Sequence, residues 1–238
     1  MEIWRDLNQP ILALVYYSIM LMLVVPLVRR YRSVHPLVSF YIGSYVICQY
    51  LSPKYTYFLG LTVPGGNIAF VATVALMDAI VISAGLSVAR QVIFSGFLLQ
   101  VLLTVSNLST IKTPSPEWVS EEAVNAFLAI SARVAVASPV AYLAAELFNA
   151  YVTHRYRRVW WARTLYSDPF ALIIDTLVFT PIAFYGALPS DVLLDIIVGL
   201  SSVKLAFVPL NLLAVYIFRR AVEGALRPLE GRSLEGNK

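Results

Sequence analysis

Apolar residues along this chain come in long runs, with no internal repeat. A hydrocarbon core about 30 Å thick is crossed by ~20 such residues in a helix. The run 11–28 is followed at once by Arg29, Arg30 and Arg32. It is too long for the core of a signal peptide and no small-residue cleavage motif follows, so it predicts a first span. The run 37–51 is shorter and polar at Ser39, Gly43, Ser44 and Gln49. The segment 55–63, between Pro53 and Pro64-Gly65-Gly66, predicts an interfacial or re-entrant piece, tolerable in a membrane only where protein covers its backbone. Helices are predicted over 67–85 and 91–109, then a polar loop over 110–120 whose prolines forbid helix. A fifth helix over 121–152 is ~48 Å long. It must tilt, kink or project, and Pro139 marks the kink. The sixth covers 170–187 and the seventh 191–218. The expected organisation is one transmembrane helical domain over 1–220 and a polar cytoplasmic tail over 221–238.

Composition settles the class. Only 13% of residues are charged and the mean hydropathy is +0.73, against about 25% charged in soluble domains. The chain is expected to be an all-α integral membrane protein with about seven transmembrane helices. A net charge of +4 would suit a nucleic-acid partner, but the basic residues follow topology instead. With the amino end outside, thirteen of the 18 Lys and Arg fall on cytoplasmic segments. Arg5, Lys54 and Lys112 fall outside, and Arg133 and Lys204 lie within spans. The positive-inside rule then places the chain as a multi-pass protein of the cytoplasmic (inner) membrane, with the carboxyl end in the cytoplasm. Cys48 is the single cysteine, so no intrachain disulfide exists. His35 and His154 are too far apart to begin a metal site, and no cofactor motif is present. There is no GxxxxGK[ST] phosphate loop, so the chain does not hydrolyse ATP by that device.

Five charges stand inside predicted spans: Asp78, Arg133, Glu146, Asp175 and Lys204. Each costs at least ~2.5–3.5 kcal/mol on insertion scales, whereas an interhelical polar contact returns ~0.6 kcal/mol on average. Packing glue is a poor reason to keep five. Helical spacing puts Asn67 near Asp78, Asp175 near Phe179, Lys204 near Asn211, and Glu146 between Tyr142 and Asn149. Arg133 and Glu146 point ~140° apart on a straight helix, so they share a cavity only if Pro139 re-aims the two halves. Ala137, Ala141 and Ala145 form a small-residue ridge that reads as close packing. Counting depth from the outer helix ends places Lys204 level with Asp78, and this predicts that the two pair, directly or through a substrate.

The stretches ARVAVAS, the acid-amide end ELFNAYVTHR, the WW-containing basic loop and IDTLVFTPIAFYG together resemble one family, the queuosine-precursor (7-deazaguanine) transporters, once filed as vitamin transporters. FVATVALMDAI with the Ala89-Arg90 step is similar to that family's acidic third-span motif, and VKLAFVPL to its lysine-bearing last span. The resemblance covers residues 67–218. It implies a six-helix core like the substrate-binding subunits of energy-coupling-factor vitamin importers, with the first helix added. Three positions depart from the family's pattern. A glutamine often stands there where this chain has Glu146, an aspartate where it has Asn149, and a polar pair where it has Ile173-Ile174.

The resemblance implies import of a queuosine or archaeosine precursor, 7-cyano- or 7-aminomethyl-7-deazaguanine, or a related planar base. The residue chemistry suits that cargo. A buried carboxylate can accept two adjacent N–H donors of a guanine-like edge. Lys204, Arg133 or Asn149 can donate to its carbonyl, and Phe70, Phe148, Phe179 or Tyr142 can stack on its rings. The expected substrate-binding set is Asp78, Arg133, Glu146, Asn149, Asp175, Phe179 and Lys204, with no cofactor. The expected partners are a small-molecule base and the bilayer, and a homo-oligomer is compatible with the sequence. Two other readings are a substrate-binding subunit of a vitamin or cofactor importer that needs a separate energising partner, and an intramembrane enzyme. The second is disfavoured because Asp78 and Asp175 lack a GxGD context and no Ser/His or metal-ligand set exists, so no enzyme is expected. The topology has a direct check: a cysteine placed at Ser115 is expected to react with an impermeant reagent from outside, and one at Arg157 only after the membrane is opened. The reverse labelling would overturn the seven-span arrangement.

Overall fold

The computed structural model describes residues 2–116, 120–155, 160–186 and 188–235. The basic run around Arg157 and Arg158, expected on the cytoplasmic side, lies outside the described residues. Helices α1 (Glu2–Tyr31) and α2 (His35–Leu51) come first. Pro36 sits in the first turn of α2, where its missing N–H costs nothing. Between α2 and α3 the chain forms an antiparallel hairpin, β1 (Tyr55–Phe58) with β2 (Leu61–Pro64), Tyr55 opposite Pro64. Leu59 and Gly60 both have positive φ, as a two-residue hairpin turn with right-handed strand twist requires. The segment left open as interfacial or re-entrant is therefore a strand pair, and pairing satisfies the backbone groups that face between the strands.

Helix α3 (Asn67–Ile111) is two helices joined at Gly85, whose φ of 83° and ψ of 172° are not helical. A straight 45-residue helix would be ~67 Å long, more than twice the hydrocarbon core. Contacts with α4 (Glu121–Arg155) show what happens instead. Asp78, before the break, accepts a hydrogen bond from Asn149 at 3.2 Å. Gly96, after the break, lies against the hydroxyl of Tyr142. Asp78 and Gly96 would be ~27 Å apart on a straight helix, yet their partners are only ~10 Å apart on α4. The chain reverses at Gly85, and the two expected helices 67–85 and 91–109 are its two arms.

The first arm is buried on every side from Asn67 to Val81, among α2, α4, α5, α6 (Ser190–Ala206) and α7 (Val208–Glu235). A helix apolar all round belongs in such a position. Helix α4 is continuous through Pro139. Helix α5 (Trp160–Phe184) starts ten residues earlier than expected, which proves important for the site. The expected seventh helix is broken at Phe207 into α6 and α7, bent by 41°. Pro209 explains the break. It lacks the N–H that Leu205 would accept from, and it disfavours helix at Val208. The last turn of α6 tightens accordingly, with the Phe207 N–H donating to the Lys204 carbonyl at 3.2 Å. Helix α7 runs past residue 220 to Glu235, with Ala221, Val222 and Ala225 buried.

Among the described residues, α1 over Gln9–Tyr31 and α3 are long and apolar enough to cross a membrane. The bent pair Ser190–Ala206 with Val208–Ala225 passes the same test as one span. The outer side of α1 exposes Ile11, Leu12, Leu14, Val15, Ile19 and Met22, a surface suited to lipid and not to water. The protein is an all-α membrane protein with one short β-hairpin.

The reversal at Gly85 depends on backbone freedom alone, since nothing lies within 4 Å of a Cβ built there. Its φ/ψ fall in a region nearly restricted to glycine, where another residue costs ~1–3 kcal/mol. Gly85→Ala is expected to lower the apparent melting temperature in detergent by ~2–12 °C. Gly43→Ala, in α2 with equal room and ordinary φ, is expected to leave it unchanged or slightly raised. Equal melting of the two variants would show that the strained turn is not required.

Candidate substrate cavity

Helix α6 delivers Lys204 into the bundle, where an ammonium is stable only beside a counter-charge. It finds one on α5. Lys204 Nζ donates to Asp175 Oδ2 at 2.6 Å and to Thr176 Oγ1 at 3.0 Å, and both residues are buried. Its third face is the ring of Phe70, 4.6 Å from Nζ to the centroid, a cation–π contact strengthened by desolvation. Lys204 and Asp175 thus neutralise each other where neither is stable alone.

This pair forms one side of a cavity of about 40 Å³ for water-sized occupants, enough for a few waters. Tyr45, Asn67, Phe70, Ser138 and Phe179 complete the walls used here. Neither amide atom of the buried Asn67 meets a hydrogen-bond partner among the described residues. Such a group is costly to leave unmade, so the cavity carries one unused donor and one unused acceptor beside a charge pair and two phenyl rings. The aromatic wall is stiff. Tyr45 stacks on Tyr142 at 4.0 Å between centroids, and its hydroxyl donates to the Ser138 carbonyl at 3.3 Å. Phe179 meets Phe184 edge to face at 5.8 Å. A larger groove of about 420 Å³ between α1 and α2 is lined mostly by apolar side chains, with Ile19, Leu23 and Ile47 exposed. It lacks the convergent polar groups that fix a ligand.

The hairpin covers the cavity from one end. Pro64 is part of its wall, and Gly199 of α6 lies so close to Thr62 that a Cβ there would stand 2.8 Å from the Thr62 carbonyl oxygen. The Thr62 N–H donates to Asp195 at 3.3 Å. On the other side, a Cβ on Gly66 would collide with the Cys48 carbonyl, which holds the start of α3 tight against α2.

A second polar level lies two helical turns away. Asp168 is seven residues before Asp175 on α5, and Asn211 is seven after Lys204 on α7. Asn211 Nδ2 donates to Asp168 Oδ2 at 3.2 Å, and the Tyr17 hydroxyl donates to Asn211 Oδ1. The antiparallel register of α5 against α6 therefore continues through the bend into α7. Asp78 accepts from Asn149 Nδ2 at 3.2 Å, and these two residues and Glu146 are buried.

The expected site residues thus divide. Asp175, Phe179 and Lys204 meet at the cavity. Asp78, Glu146 and Asn149 are buried but are not among its walls. Arg133 is exposed on α4 and joins neither group, so continuity through Pro139 does not re-aim it inward. The expected Lys204–Asp78 pair is replaced by Lys204–Asp175. The error came from assuming a common depth for the outer helix ends. Lys204 is level with Phe70, three residues into α3 but fourteen positions after Ser190, so α3 begins ~17 Å further inside than α6. The hairpin fills that difference. Sequence reasoning missed Asp168, because Ser167 and Pro169 beside it made the segment look like a loop. Its seven-residue spacing from Asp175 was the available signal. Tyr45, Cys48 and Ser52 of the cavity wall were missed as well, since the polar interruptions of α2 were not followed to one face.

A family described as "Putative vitamin uptake transporter" matches residues 64–218. The chain is 27% identical over 190 residues to the protein named "Probable queuosine precursor transporter" of Bacillus subtilis (strain 168), covering 76% of this chain and 83% of that one. It is 28% identical over 159 residues to the queuosine precursor transporter of Escherichia coli (strain K12), covering 66% of this chain and 71% of that one. No solved structure matches. The region matched by the family takes in Asp78, Glu146, Asn149, Asp168, Asp175, Lys204 and Asn211 together. The chain belongs to the queuosine-precursor transporter family, the one described as vitamin uptake transporters.

Proposed function

We propose that this chain imports a queuosine precursor, a 7-deazaguanine base, across the cytoplasmic membrane, with its amino end outside and its carboxyl end inside. The names of the two relatives supply the substrate class. The observation that carries it is the Lys204–Asp175 pair opening on a cavity with Phe70 and Phe179 on its walls and Asn67 unpartnered. A guanine-like edge offers adjacent N–H donors for a carboxylate and a carbonyl for an ammonium or amide. Its flat ring suits two phenyl walls. Entering between Lys204 and Asp175, the base would give each residue a new partner as it takes the old one away. Neither charge is left bare during the exchange, which matters because an uncompensated buried charge costs several kcal/mol.

The direct test is ligand-induced thermal stabilisation of the purified chain across 7-deazaguanines, guanine, adenine and vitamins. Stabilisation by the deazaguanines and not by adenine is expected, because adenine lacks the donor-donor-acceptor edge and would strand buried polar groups. Stabilisation by a vitamin alone would overturn the reading.

The ion pair gives a sharper check. Asp175→Asn and Lys204→Met each leave one charge unpaired, and each is expected to lower stability by ~3–5 kcal/mol. The double variant leaves no bare charge and is expected to recover most of that stability. Its affinity for the base is still expected to fall by ~2–5 kcal/mol, or roughly 30-fold to several-thousand-fold. A stable double variant that binds the base as well as the parent would make the pair structural only.

A further inference from the structure

The arginines at the end of α1 have no counter-charge nearby in the chain. Arg29, Arg30 and Arg32 are all exposed, and from Leu7 to Met77 the sequence holds no aspartate or glutamate. The ion pairs among the described residues are Lys204–Asp175 and Arg219–Glu223, so none of the three arginines takes part in one. The arginines on α7 are placed differently. Arg219 holds Glu223 at 2.6 Å, and Arg220 lies over the Tyr216 ring, 5.5 Å from its centroid. Tyr31, between Arg30 and Arg32, is 68% exposed, and a tyrosine at the end of a span marks headgroup depth. Only three residues, Arg32 to Val34, join α1 to α2. The three guanidinium groups are therefore carried at the turned end of this helix pair.

Beyond that end the two helices leave a groove of about 420 Å³, with Ile19 and Leu23 of α1 facing Ser39, Gly43 and Ile47 of α2. Leu23 is six residues, ~9 Å, before Arg29, and Ser39 is four residues, ~6 Å, after His35. The groove runs ~10 Å further, from Leu23 back to Tyr16. Turn and groove together take up ~20 Å, about half of a bilayer counted with its headgroups. The polar groups at the far end satisfy each other, the Tyr16 hydroxyl donating to Ser44 Oγ at 2.8 Å. What faces outward is apolar, since Ile19, Leu23 and Ile47 are exposed. A lining without convergent polar groups cannot orient a soluble ligand, but a hydrocarbon chain needs none.

We propose that an anionic glycerophospholipid binds here, its phosphate on Arg29, Arg30 and Arg32 and one acyl chain in the groove between α1 and α2. Guanidinium forks bond phosphate oxygens in pairs, so the headgroup supplies the counter-charge that the chain lacks. Charge selects this occupant over the others. A zwitterionic lipid brings its own cation to three arginines, and a free phosphate leaves the groove unfilled. A second copy, lying in the membrane the same way up, would set its own three arginines at the same depth, like charge against like. The leaflet follows from the orientation proposed above and is the cytoplasmic one; the site itself needs only a bilayer. Ala13, Tyr17, Met20, Val24 and Val28 of α1 are buried against the bundle. The acyl chain joins α1 to α2 on the opposite, lipid-facing side, and so holds α1 in place from both.

Native mass spectrometry and thermal melting of the purified chain in a neutral detergent test this, with dioleoyl phosphatidylglycerol and dioleoyl phosphatidylcholine as probes. A basic residue beside an anionic headgroup is worth about fivefold in affinity. The parent is therefore expected to hold phosphatidylglycerol at least ~10-fold more tightly than phosphatidylcholine, and to melt higher with it. The triple variant Arg29→Gln, Arg30→Gln, Arg32→Gln is expected to bind the two lipids alike. If it does not fold, the single variants replace it, each expected to lose about fivefold. Gly43→Phe keeps every arginine and fills the groove from a position where a Cβ meets nothing within 4 Å; it is expected to lose most of the binding. Arg219→Gln with Arg220→Gln, a charge control on α7, is expected to keep the full preference. Equal retention of both lipids by the parent, or loss of the preference in the α7 control, overturns the site. Competition by glycerol phosphate as strong as by the lipid would assign the arginines to a free phosphate. A lipid-free dimer that Gly43→Phe dissociates would assign the groove to a second copy. Either result overturns the proposal.

Discussion

An ammonium in the middle of a helix bundle has few acceptable surroundings, and the position of Lys204 governs much of this structure. It needs a carboxylate at contact distance, and Asp175 supplies it at 2.6 Å. It has two further faces to satisfy, and Thr176 and Phe70 meet them with a hydroxyl and a ring face. Thr176 itself is anchored to α5 by donating to the Leu172 carbonyl at 2.9 Å. Three helices are thereby pinned at one depth: α6 by the lysine, α5 by the aspartate and threonine, and α3 by the phenyl ring. The opposite wall of the cavity, from α2 and α4, is held by ring stacking and packing instead of charge.

The β-hairpin makes this geometry possible. It sets α3 back from the outer end of α6, and it occupies the space so gained with paired strands, one of which bonds outward to Asp195 of α6. Gly199 and Gly66 mark the two places where this insertion is tightest, one against the hairpin and one against α2. Without the setback, Asp78 rather than Phe70 would stand level with Lys204.

Much of this was legible in the sequence, for reasons that also explain the failures. Apolar runs announce helices because lipid leaves no other way to satisfy a backbone, so each expected run is helical, although α5 begins earlier and the last run is broken at Phe207. Asp175 and Lys204 stood out as candidates because charge inside an apolar run is expensive enough to demand a purpose, and Phe179 because it falls one turn after Asp175. Arg133 satisfied the same criterion and was over-read, since a long side chain on an exposed helix face can carry its charge outward. Asp168 had the opposite fault. A charge flanked by serine and proline looks cheap, and only the length of α5 shows that it is buried. Partner choice was the least legible feature. Residue counting fixes depth along one helix, whereas the relative depth of two helices is set by what joins them, here a hairpin whose strands are only four residues each.

The bend at Phe207 bears on how such a bundle can move. On a straight helix, positions seven apart return to nearly the same face, so Lys204 and Asn211 would meet Asp175 and Asp168 with no bend at all. The structure keeps both pairings although α6 and α7 diverge by 41° between them. Each pairing is therefore local, held by its own donor and acceptor, and the segment between has no full helical ladder to stiffen it. Pro209 leaves the Leu205 carbonyl without its helical donor, which makes Phe207 a place where the two levels can change their relation at small cost. A rigid α6–α7 would have tied the two levels into one body. The broken one leaves each level held by its own donor and acceptor on the same pair of helices.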